Sequence, residues 1–403
     1  MQTPSGNSSS EATPVESGDR RVPTLSLTAY PWDFADGGLA DQLDRLRGEV
    51  GLTGFSVWAA TPGVKQFRVR DVQPRVFRTD GGVFFQPSAN HGFGRGCRPL
   101  VSTWTRGGNP LATIAEQCVR SELRLRAILP AATTGQLALR SPEFACRNAF
   151  DDESESAVCL ANPDVQESLL SLASDITGNY PVQGLILTDF AVSWRDAFFA
   201  ELLLPSPLGE AERRMLSTCF CAHCVRVSES AGIDVQEARR RVRTIIEKAL
   251  CESVPLGKTF DALLADQPAI AEHRRVQTER LNALLRGLVG TCRAEVLLAR
   301  ATDDLSSAWP AGLDHRIPAA VLSRAESIDR LGEALIAGAR RNELWVPASW
   351  TVGSRAAEFI GAMPRAVQMG FAGIDIDNYA LLPETAFTTV RQAIRFARRS
   401  VGA

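Results

Sequence analysis

Hydrophobic positions along this chain fall into two patterns, short continuous apolar runs and longer segments with apolar residues at helical spacing. Residues 162–189 hold one of each. Asn162 can cap a helix that starts at Pro163, because the first turn does not need the N–H that proline lacks. The apolar run 184–187 that follows is typical of a strand buried on both faces of a parallel sheet. It ends at Thr188 and Asp189, and reactive groups in such sheets lie at the carboxyl ends of strands.

The same alternation recurs along the whole chain and predicts eight strands separated by helices. The predicted strands are residues 24–29, 54–59, 123–129, 184–188, 294–299, 319–322, 344–348 and 373–376. The predicted helices are residues 39–50, 163–177, 270–289, 328–340, 356–369 and 383–399. Eight strands in an α/β pattern predict a (β/α)8 TIM barrel.

Two long segments interrupt this pattern. Residues 60–106, after the second strand, are rich in glycine and aromatic residues and predict a loop and hairpin insertion. Residues 190–268, after the fourth strand, predict a helical insertion over the active face. Residues 1–22 have the composition of a disordered tail. We therefore expect a single barrel domain over residues 23–403.

Composition excludes several classes of protein. The 403 residues are 45% hydrophobic and carry a net charge of -2, so no basic footprint for nucleic acid exists. No apolar run reaches the roughly 18 residues that cross a membrane, and residues 1–22 lack the apolar core of a signal peptide. We expect a cytoplasmic protein whose nine cysteines are thiols or metal ligands. The sequence does not set the oligomeric state.

The second insertion contains the run Cys219-Phe-Cys221-Ala-His-Cys224. Thiolates at the three cysteine positions can converge on one soft metal ion such as zinc, with His223 or a distant Cys159 or Cys251 as the fourth ligand. Packed thiols or a redox-labile pair are the alternatives, because no second CxxC pair follows at a standard distance. In either case the cluster is interpreted as structural.

Three short motifs carry a resemblance to a known family. They are Cys-x-Asn-Pro-Asp-Val from Cys159, the strand Gly-Leu-Ile-Leu-Thr-Asp ending at Asp189, and Asp377-Asn378-Tyr379 after the last strand. With these motifs the chain resembles (β/α)8 glycoside-hydrolase-like proteins related to bacterial family-10-like glycosyl hydrolases. It is closer still to uncharacterised bacterial members with the same Cys-Phe-Cys-x-x-Cys run. The resemblance implies a barrel that acts on, or binds, carbohydrate.

One position departs from those relatives, where an acidic residue commonly occupies the position of Thr188. Alternate side chains of a strand face opposite sides, so Asp189 can replace that acid only if the strand end bends or shifts register.

Glycoside hydrolysis needs two carboxyl groups beside the scissile bond. The candidates are Asp189, Asp375 and Asp377, with Asp303, Asp304 and Glu326 as further acids after the fifth and sixth strands. Asp375 and Asp377 are two residues apart and face the same side of their strand. Structural roles compete with these assignments: Asp189 could cap the next segment, Asp375 could pair with Arg300 or Arg324, and Asp303 and Asp304 suit a solvated loop.

Aromatic rings at strand ends can stack on a sugar while polar neighbours bind its hydroxyl groups. The candidate substrate-binding residues are Tyr30, Trp32, Asp33, His91, Trp194, Arg300, Trp350, Asn378 and Tyr379, with His315 as a weaker candidate. Core or loop packing is the alternative role of each ring.

Other chemistries lack their motifs. The sequence has no nucleotide-binding glycine motif, no metalloprotease motif and no serine-hydrolase elbow. The chemistry therefore needs no cofactor, and the first hypothesis is a glycosidase with Asp189 and Asp377 as the pair. The second is a carbohydrate-binding barrel that has lost its acid. The third is a lyase or isomerase on a sugar-derived metabolite, with Asp375 or Asp377 as the base.

Overall fold

Eight parallel strands close into one barrel, which confirms the predicted (β/α)8 TIM fold. The structure is a computed structural model that describes residues 23–35, 38–70, 74–88, 92–93, 97–134, 136–191, 208–252, 254–300, 312–400 and 402. The order around the barrel is β1-β8-β7-β6-β5-β4-β3-β2. The strands are β1 (Thr24–Ala29), β2 (Gly54–Trp58), β3 (Arg124–Pro130), β4 (Gly184–Thr188), β5 (Glu295–Ala299), β6 (Ala320–Arg324), β7 (Asn342–Pro347) and β8 (Phe371–Asp377).

Helices cover the outside of the barrel, and their ends follow the local sequence. At the start of the helix predicted after Asn162, the Asn162 side chain accepts a hydrogen bond from the Asp164 backbone N–H at 2.9 Å. This is the cap that the sequence predicted. The described helices are α1 (Leu39–Arg45), α2 (Pro110–Arg120), α3 (Leu137–Arg140), α4 (Pro163–Asn179), α5 (Glu210–Leu216), α6 (Ala222–Ser230), α7 (Val235–Glu252), α8 (Phe260–Ala265), α9 (Pro268–Thr291), α10 (Arg355–Gln368) and α11 (Ala386–Arg399).

The helix predicted over residues 328–340 is wrong. The chain forms a 3₁₀ helix over Ile328–Ala334 instead, and Arg330 within it departs from helical geometry. Gly338 has a φ of 78°, a left-handed conformation that an α-helix cannot contain. The apolar spacing was correct, but the glycine placed the chain in a turn.

The barrel interior has an apolar side and a polar side. Inward residues of β3 to β7 form an apolar cluster that includes Ile128, Ile186, Leu297, Leu322 and Trp345. The polar side contains Ser26, Thr28, Ser56, Arg126, Glu343, Asp375 and Asp377, which face inward by strand alternation. Its anchor is an ion pair between the Arg126 guanidinium and the Glu343 carboxylate, with contacts of 2.6 and 3.0 Å.

The first insertion contains two short antiparallel strand pairs, Ala60–Thr61 with Gly82–Val83 and Val64–Phe67 with Val76–Thr79. Gly82 is required at its position, since its φ is 108° and an added Cβ would lie 2.4 Å from the Leu100 carbonyl oxygen. The predicted hairpin character of this segment is therefore confirmed.

The second insertion contains helices α5 to α8 and packs around its own hydrophobic core. That core is separate from the layer between strands and helices, and includes Met215, Phe220, Val242, Ile246 and Phe260. No helix in the described part of the chain is long and apolar enough to cross a membrane.

A third excursion, between β3 and α4, was not predicted. It contains α3 and a hairpin of Ala145–Arg147 with Glu153–Val158. The hairpin docks on the second insertion: the Phe220 N–H donates to the Arg147 carbonyl at 2.6 Å, and the Arg243 Nε donates to the Ala149 carbonyl at 2.5 Å. The excursions after two neighbouring strands therefore form one joined structure.

Candidate functional site

Asp189 ends β4 in a bend of the kind that the sequence required. Its φ is 55°, in the left-handed region that aspartate tolerates better than most residues. Its Oδ2 accepts hydrogen bonds from the Thr133 hydroxyl at 2.7 Å and from the Thr188 hydroxyl at 3.5 Å. Burial raises the pKa of Asp189 above its ordinary value, while the two hydroxyl groups oppose that rise. The carboxyl is therefore largely buried and is held by the two neighbouring threonines.

Asp377 lies at the end of β8, and its side chain is 23% exposed. Its Oδ1 accepts a hydrogen bond from the Thr28 hydroxyl at 2.7 Å, and its Oδ2 lies 3.8 Å from Arg324 Nη2. Burial raises the pKa of Asp377, whereas Thr28 and Arg324 favour its charged form. Asp377 thus sits at the mouth between a hydroxyl donor and a cation.

Asp375 lies one inward position deeper on the same strand and is fully buried. Its Oδ2 accepts a hydrogen bond from the Ser56 hydroxyl at 2.5 Å. Burial raises its pKa to about 7, against the opposing effects of Ser56 and Arg126. Of the two arginines that the sequence offered as partners of Asp375, Arg324 reaches the outer carboxylate of Asp377 instead, so that pairing is wrong. The pairing with Arg300 stays a prediction.

The strands that carry Asp189 and Asp377 face each other across the barrel. Three strands separate β4 from β8 in either direction around the closed sheet. A substrate in the mouth would therefore meet these carboxyl groups on opposite sides.

Two aromatic rings lie beside Asp377 at the mouth. Tyr30, after β1, and Trp58, the last residue of β2, are both partly exposed, and their rings stack with centroids 5.6 Å apart. Burial and the negative charges of Asp377 and Asp33 raise the pKa of the Tyr30 phenol, so it stays protonated and can donate a hydrogen bond. Trp58 Nε1 has no acceptor among the residues that the structure describes.

Three other rings of the expected aromatic rim are buried. Trp32 is covered by Tyr30 on one face and Phe77 on the other, with centroids at 4.5 and 4.6 Å. Trp350 and Tyr379 are 1% and 3% exposed and belong to the apolar layer between strands and helices. None of these three rings has a face open to a substrate. They pack behind the mouth and support it.

The polar candidates near β1 and β8 also have structural partners. The Asp33 carboxylate accepts a hydrogen bond from the Tyr30 backbone N–H at 2.9 Å, and burial raises its pKa to about 7. The Tyr379 hydroxyl donates to the Gln42 side chain at 3.0 Å. Asn378, joined to Asp377 by a cis peptide bond, is buried, and its Oδ1 has no partner in the described ranges.

The remaining candidates divide into three groups. Arg300 follows β5 and is partly buried, and His315 is partly exposed in the loop before β6. Glu326 pairs with Arg330 at 3.1 Å, away from the other carboxyl groups. His91, Trp194, Asp303 and Asp304 lie outside the described residues.

The three cysteines of the sequence motif lie beside a fourth, Cys159, which is one of the three candidates for the fourth ligand that the sequence offered. The sulfur atoms of Cys159, Cys219, Cys221 and Cys224 all lie within 4.8 Å of one another, and all four residues are buried. Cys251 is exposed and not part of this group. Hydrogen bonds from Cys146 and the other thiols hold the pKa of Cys219 well below its usual range. The cluster is therefore suited to a structural metal ion.

Several residues of the site were missed by the sequence interpretation. They are Thr28, Ser56, Trp58, Thr133 and Cys146, while Arg324 was expected to pair with Asp375 and not with Asp377. Strand alternation could have found Ser56 and Trp58, since both share the inward parity of β2. Thr133 and Cys146 lie in the excursion that gave no clear pattern.

Comparison with known proteins finds similarity in structure only. No protein-family model matches the chain, and no curated protein does. Among solved structures, α-L-fucosidase isoenzyme 2 from Paenibacillus thiaminolyticus aligns with a TM-score of 0.53 and 12% identity over 93% of this chain and 49% of its own. A β-galactosidase from the psychrophilic Marinomonas ef1 gives 0.53 and 10% identity over 93% and 59%.

The glycoside hydrolase domain of PgaB (BpsB) from Bordetella bronchiseptica gives a TM-score of 0.53 and 13% identity over 91% of this chain and 96% of that domain. The chain thus spans about half of the fucosidase and about three fifths of the galactosidase, but nearly all of this domain. At these identities the similarity shows the fold, a barrel of the kind found in glycoside hydrolases.

Proposed function

We propose that this protein hydrolyses a glycosidic bond at the carboxyl end of its barrel, with Asp189 and Asp377 as the two carboxyl groups. The observation that carries this proposal is the pair itself: two partly buried carboxyl groups with raised pKa values on facing strands, with partly exposed rings beside one of them. Glycosidases use one protonated and one ionised carboxyl on either side of the bond. The resemblance to family-10-like glycosyl hydrolases supports the same class.

The surroundings of the two carboxyl groups support different roles. Arg324 lies 3.8 Å from Asp377 and favours its ionised form, so Asp377 is the proposed nucleophile or base. Asp189 receives hydrogen bonds from two hydroxyl groups, forms no ion pair within the described ranges, and has a pKa that burial raises. It is therefore the proposed general acid, which must hold a proton until it protonates the leaving oxygen.

The proposed substrate is a carbohydrate or glycoconjugate whose ring stacks on Trp58, because Tyr30 already stacks on both Trp32 and Trp58. The apolar face of a sugar can pack on an aromatic ring while its hydroxyl groups meet polar atoms nearby. The Tyr30 phenol, which stays protonated, is the proposed hydrogen-bond donor beside such a ring. No cofactor is needed, because the two carboxyl groups supply the proton and the nucleophile or base.

The test is hydrolysis of aryl glycosides and oligosaccharides by the wild type, Asp189→Asn and Asp377→Asn. Aryl glycosides with good and poor leaving groups separate the two roles. We expect Asp377→Asn to lose activity on both, and Asp189→Asn to retain activity only where the leaving group needs no proton. Glu279→Gln, which removes an exposed acid on α9, is the matched control.

A second function is favoured by one observation, the inward residue at the end of β4. That residue is Thr188, and the neighbouring Asp189 is hydrogen bonded to threonine hydroxyls. A barrel that binds carbohydrate without cleaving it would have this arrangement. Glycan binding by all variants without turnover by the wild type would favour this function and overturn the hydrolase.

A further inference from the structure

The four clustered cysteines come from two different parts of the chain. Cys159 directly follows the hairpin of the third excursion, at the end of Glu153–Val158. Cys219, Cys221 and Cys224 belong to the helical insertion after β4, where Cys221 is the N-cap of α6 and Cys224 lies in its first turn. A ligand shared by all four would therefore join the excursions after two neighbouring strands.

The sulfur geometry suits a single ion. With Zn–S bonds of about 2.3 Å, a tetrahedron places its sulfur atoms about 3.8 Å apart. All sulfur pairs in the cluster lie within 4.8 Å, and Cys159 Sγ is 3.4 Å from Cys224 Sγ. That separation is far longer than the roughly 2.05 Å of a disulfide bond. A cluster of several irons would hold its thiolates on different metal atoms and thus farther apart.

The backbone around the cysteines is held in place by a second layer of hydrogen bonds. The Cys219 carbonyl accepts from His273 Nε2 at 2.9 Å and from Gln277 Nε2 at 2.6 Å, both on α9. A carbonyl can only accept, so the proton of the His273 ring is on Nε2 and its Nδ1 accepts from the Ser228 hydroxyl at 2.8 Å. Partners of this kind orient the residues of metal sites.

From this geometry we propose that Cys159, Cys219, Cys221 and Cys224 bind one Zn²⁺ ion in a closed tetrathiolate site that clamps the hairpin to the helical insertion. All four ligand positions come from the protein, which leaves none for water or substrate, so the ion is structural. The amino end of α6 favours the thiolate form of its cysteines. Binding releases the thiol protons to solvent.

A fifth cysteine gives the proposal a sharp control. Cys146 is buried in the same apolar cluster as the four ligands, but it is not a member of the group whose sulfurs lie within 4.8 Å of one another. Cys146→Ala should therefore keep the ion, whereas Cys159→Ser should lose it. Cys251→Ser changes an exposed thiol and controls for thiol removal in general.

The experiment measures the metal content of the full chain by inductively coupled plasma mass spectrometry, after purification under reducing conditions. We expect about one zinc per chain in the wild type, Cys146→Ala and Cys251→Ser, and loss of most of it in Cys159→Ser. Cobalt chloride added to the chelated wild type should give the absorption bands of a tetrahedral thiolate site. This second measurement uses the wild type alone, so it does not depend on whether a cysteine variant folds.

Three outcomes would overturn the proposal: a reduced wild type that takes up no zinc when zinc chloride is added, iron in place of zinc, or zinc that is lost with Cys146 and kept without Cys159. Metal content is independent of turnover, so a failed hydrolase assay leaves this result unaffected. Removal of zinc should also raise hydrogen exchange in residues 145–158 and 210–230 while β4 stays protected.

Discussion

Arg324 Nη2 lies 3.8 Å from Asp377 Oδ2, so the mouth of the barrel places a cation against one of its two proposed catalytic carboxyl groups. Its charge opposes the rise in pKa that burial causes at Asp377. The relationship separates the chemical environments of Asp377 and Asp189, and it can be tested without a known substrate.

Replacing Arg324 with methionine should raise the pKa of Asp377. The loss of the positive charge destabilises the carboxylate, so the proton leaves at a higher pH. Carboxyl-carbon NMR of aspartate-labelled protein measures the titration directly. Arg330→Met, which removes an exposed arginine paired with Glu326, should leave it unchanged. An unchanged or lowered pKa in Arg324→Met would contradict this role.

Asp375 should make the protein less stable as pH rises from about 4 to 7. Its pKa is raised from 3.8 to about 7 in the folded state, so in this window the folded chain holds a proton that the unfolded chain has lost. The stability it contributes is present below the unfolded pKa and is lost as pH rises through the folded pKa.

Asp375→Asn removes this titration and keeps an acceptor for Ser56. The free energy of unfolding of the wild type, relative to the variant, should fall by an amount of the order of 2 kcal/mol between pH 4 and 7. Urea unfolding across that range is the measurement, with Glu326→Gln as the surface control. Parallel pH curves for wild type and Asp375→Asn would exclude the effect.

The ion pair of Arg126 and Glu343 should matter more to stability than any surface pair. Its side chains are 4% and 1% exposed. Arg126→Met should lower the free energy of unfolding by about 3 kcal/mol, because it leaves Glu343 buried with Arg341 as the remaining partner. Arg126→Met with Glu343→Leu should recover most of that loss.

A surface pair gives the comparison for this prediction. Arg275 contacts Glu272 at 2.8 Å with both side chains about half exposed, so Arg275→Met should leave the free energy of unfolding almost unchanged. Urea unfolding of the single and double variants measures all three values. A double variant no more stable than Arg126→Met alone would show that the pair is not the source of the loss.

Trp58 should contribute to binding of carbohydrate. Trp58→Ala removes a ring at the mouth and should weaken glycan affinity about tenfold, while Trp58→Phe should keep most of it. Titration calorimetry with an oligosaccharide that the wild type binds is the measurement. Trp350→Phe, a change in the buried layer behind the barrel, should leave affinity unchanged. Equal affinity of Trp58→Ala and wild type would remove the ring from the proposed site.

The barrel was predictable because its strands are buried on both faces and therefore appear as continuous apolar runs. The inward parity of Asp375 and Asp377 was equally accessible, since alternate residues of a strand share a face. The bend at Asp189 was stated as a condition, and its left-handed φ of 55° meets that condition.

The aromatic rim was not predictable in the same way. A ring at a strand end indicates burial or binding alike, and only the path of the following loop decides which. The loops after β1 and β8 direct Trp32 and Tyr379 into the packed interior, where both are buried. The partner of the cysteine motif was predicted only as one of three candidates, because Cys159 is 60 residues before Cys219, behind a hairpin whose strand Glu-Ser-Glu-Ser-Ala-Val has little apolar signal.

The helical insertion has a hydrophobic core that is separate from that of the barrel. Side chains such as Phe220, Val242 and Phe260 pack with one another and not with the layer around the barrel. Segments with their own core can open with a free energy below that of global unfolding. We therefore expect the insertion to be able to lose its structure while the barrel that holds Asp375 and Asp377 keeps its own.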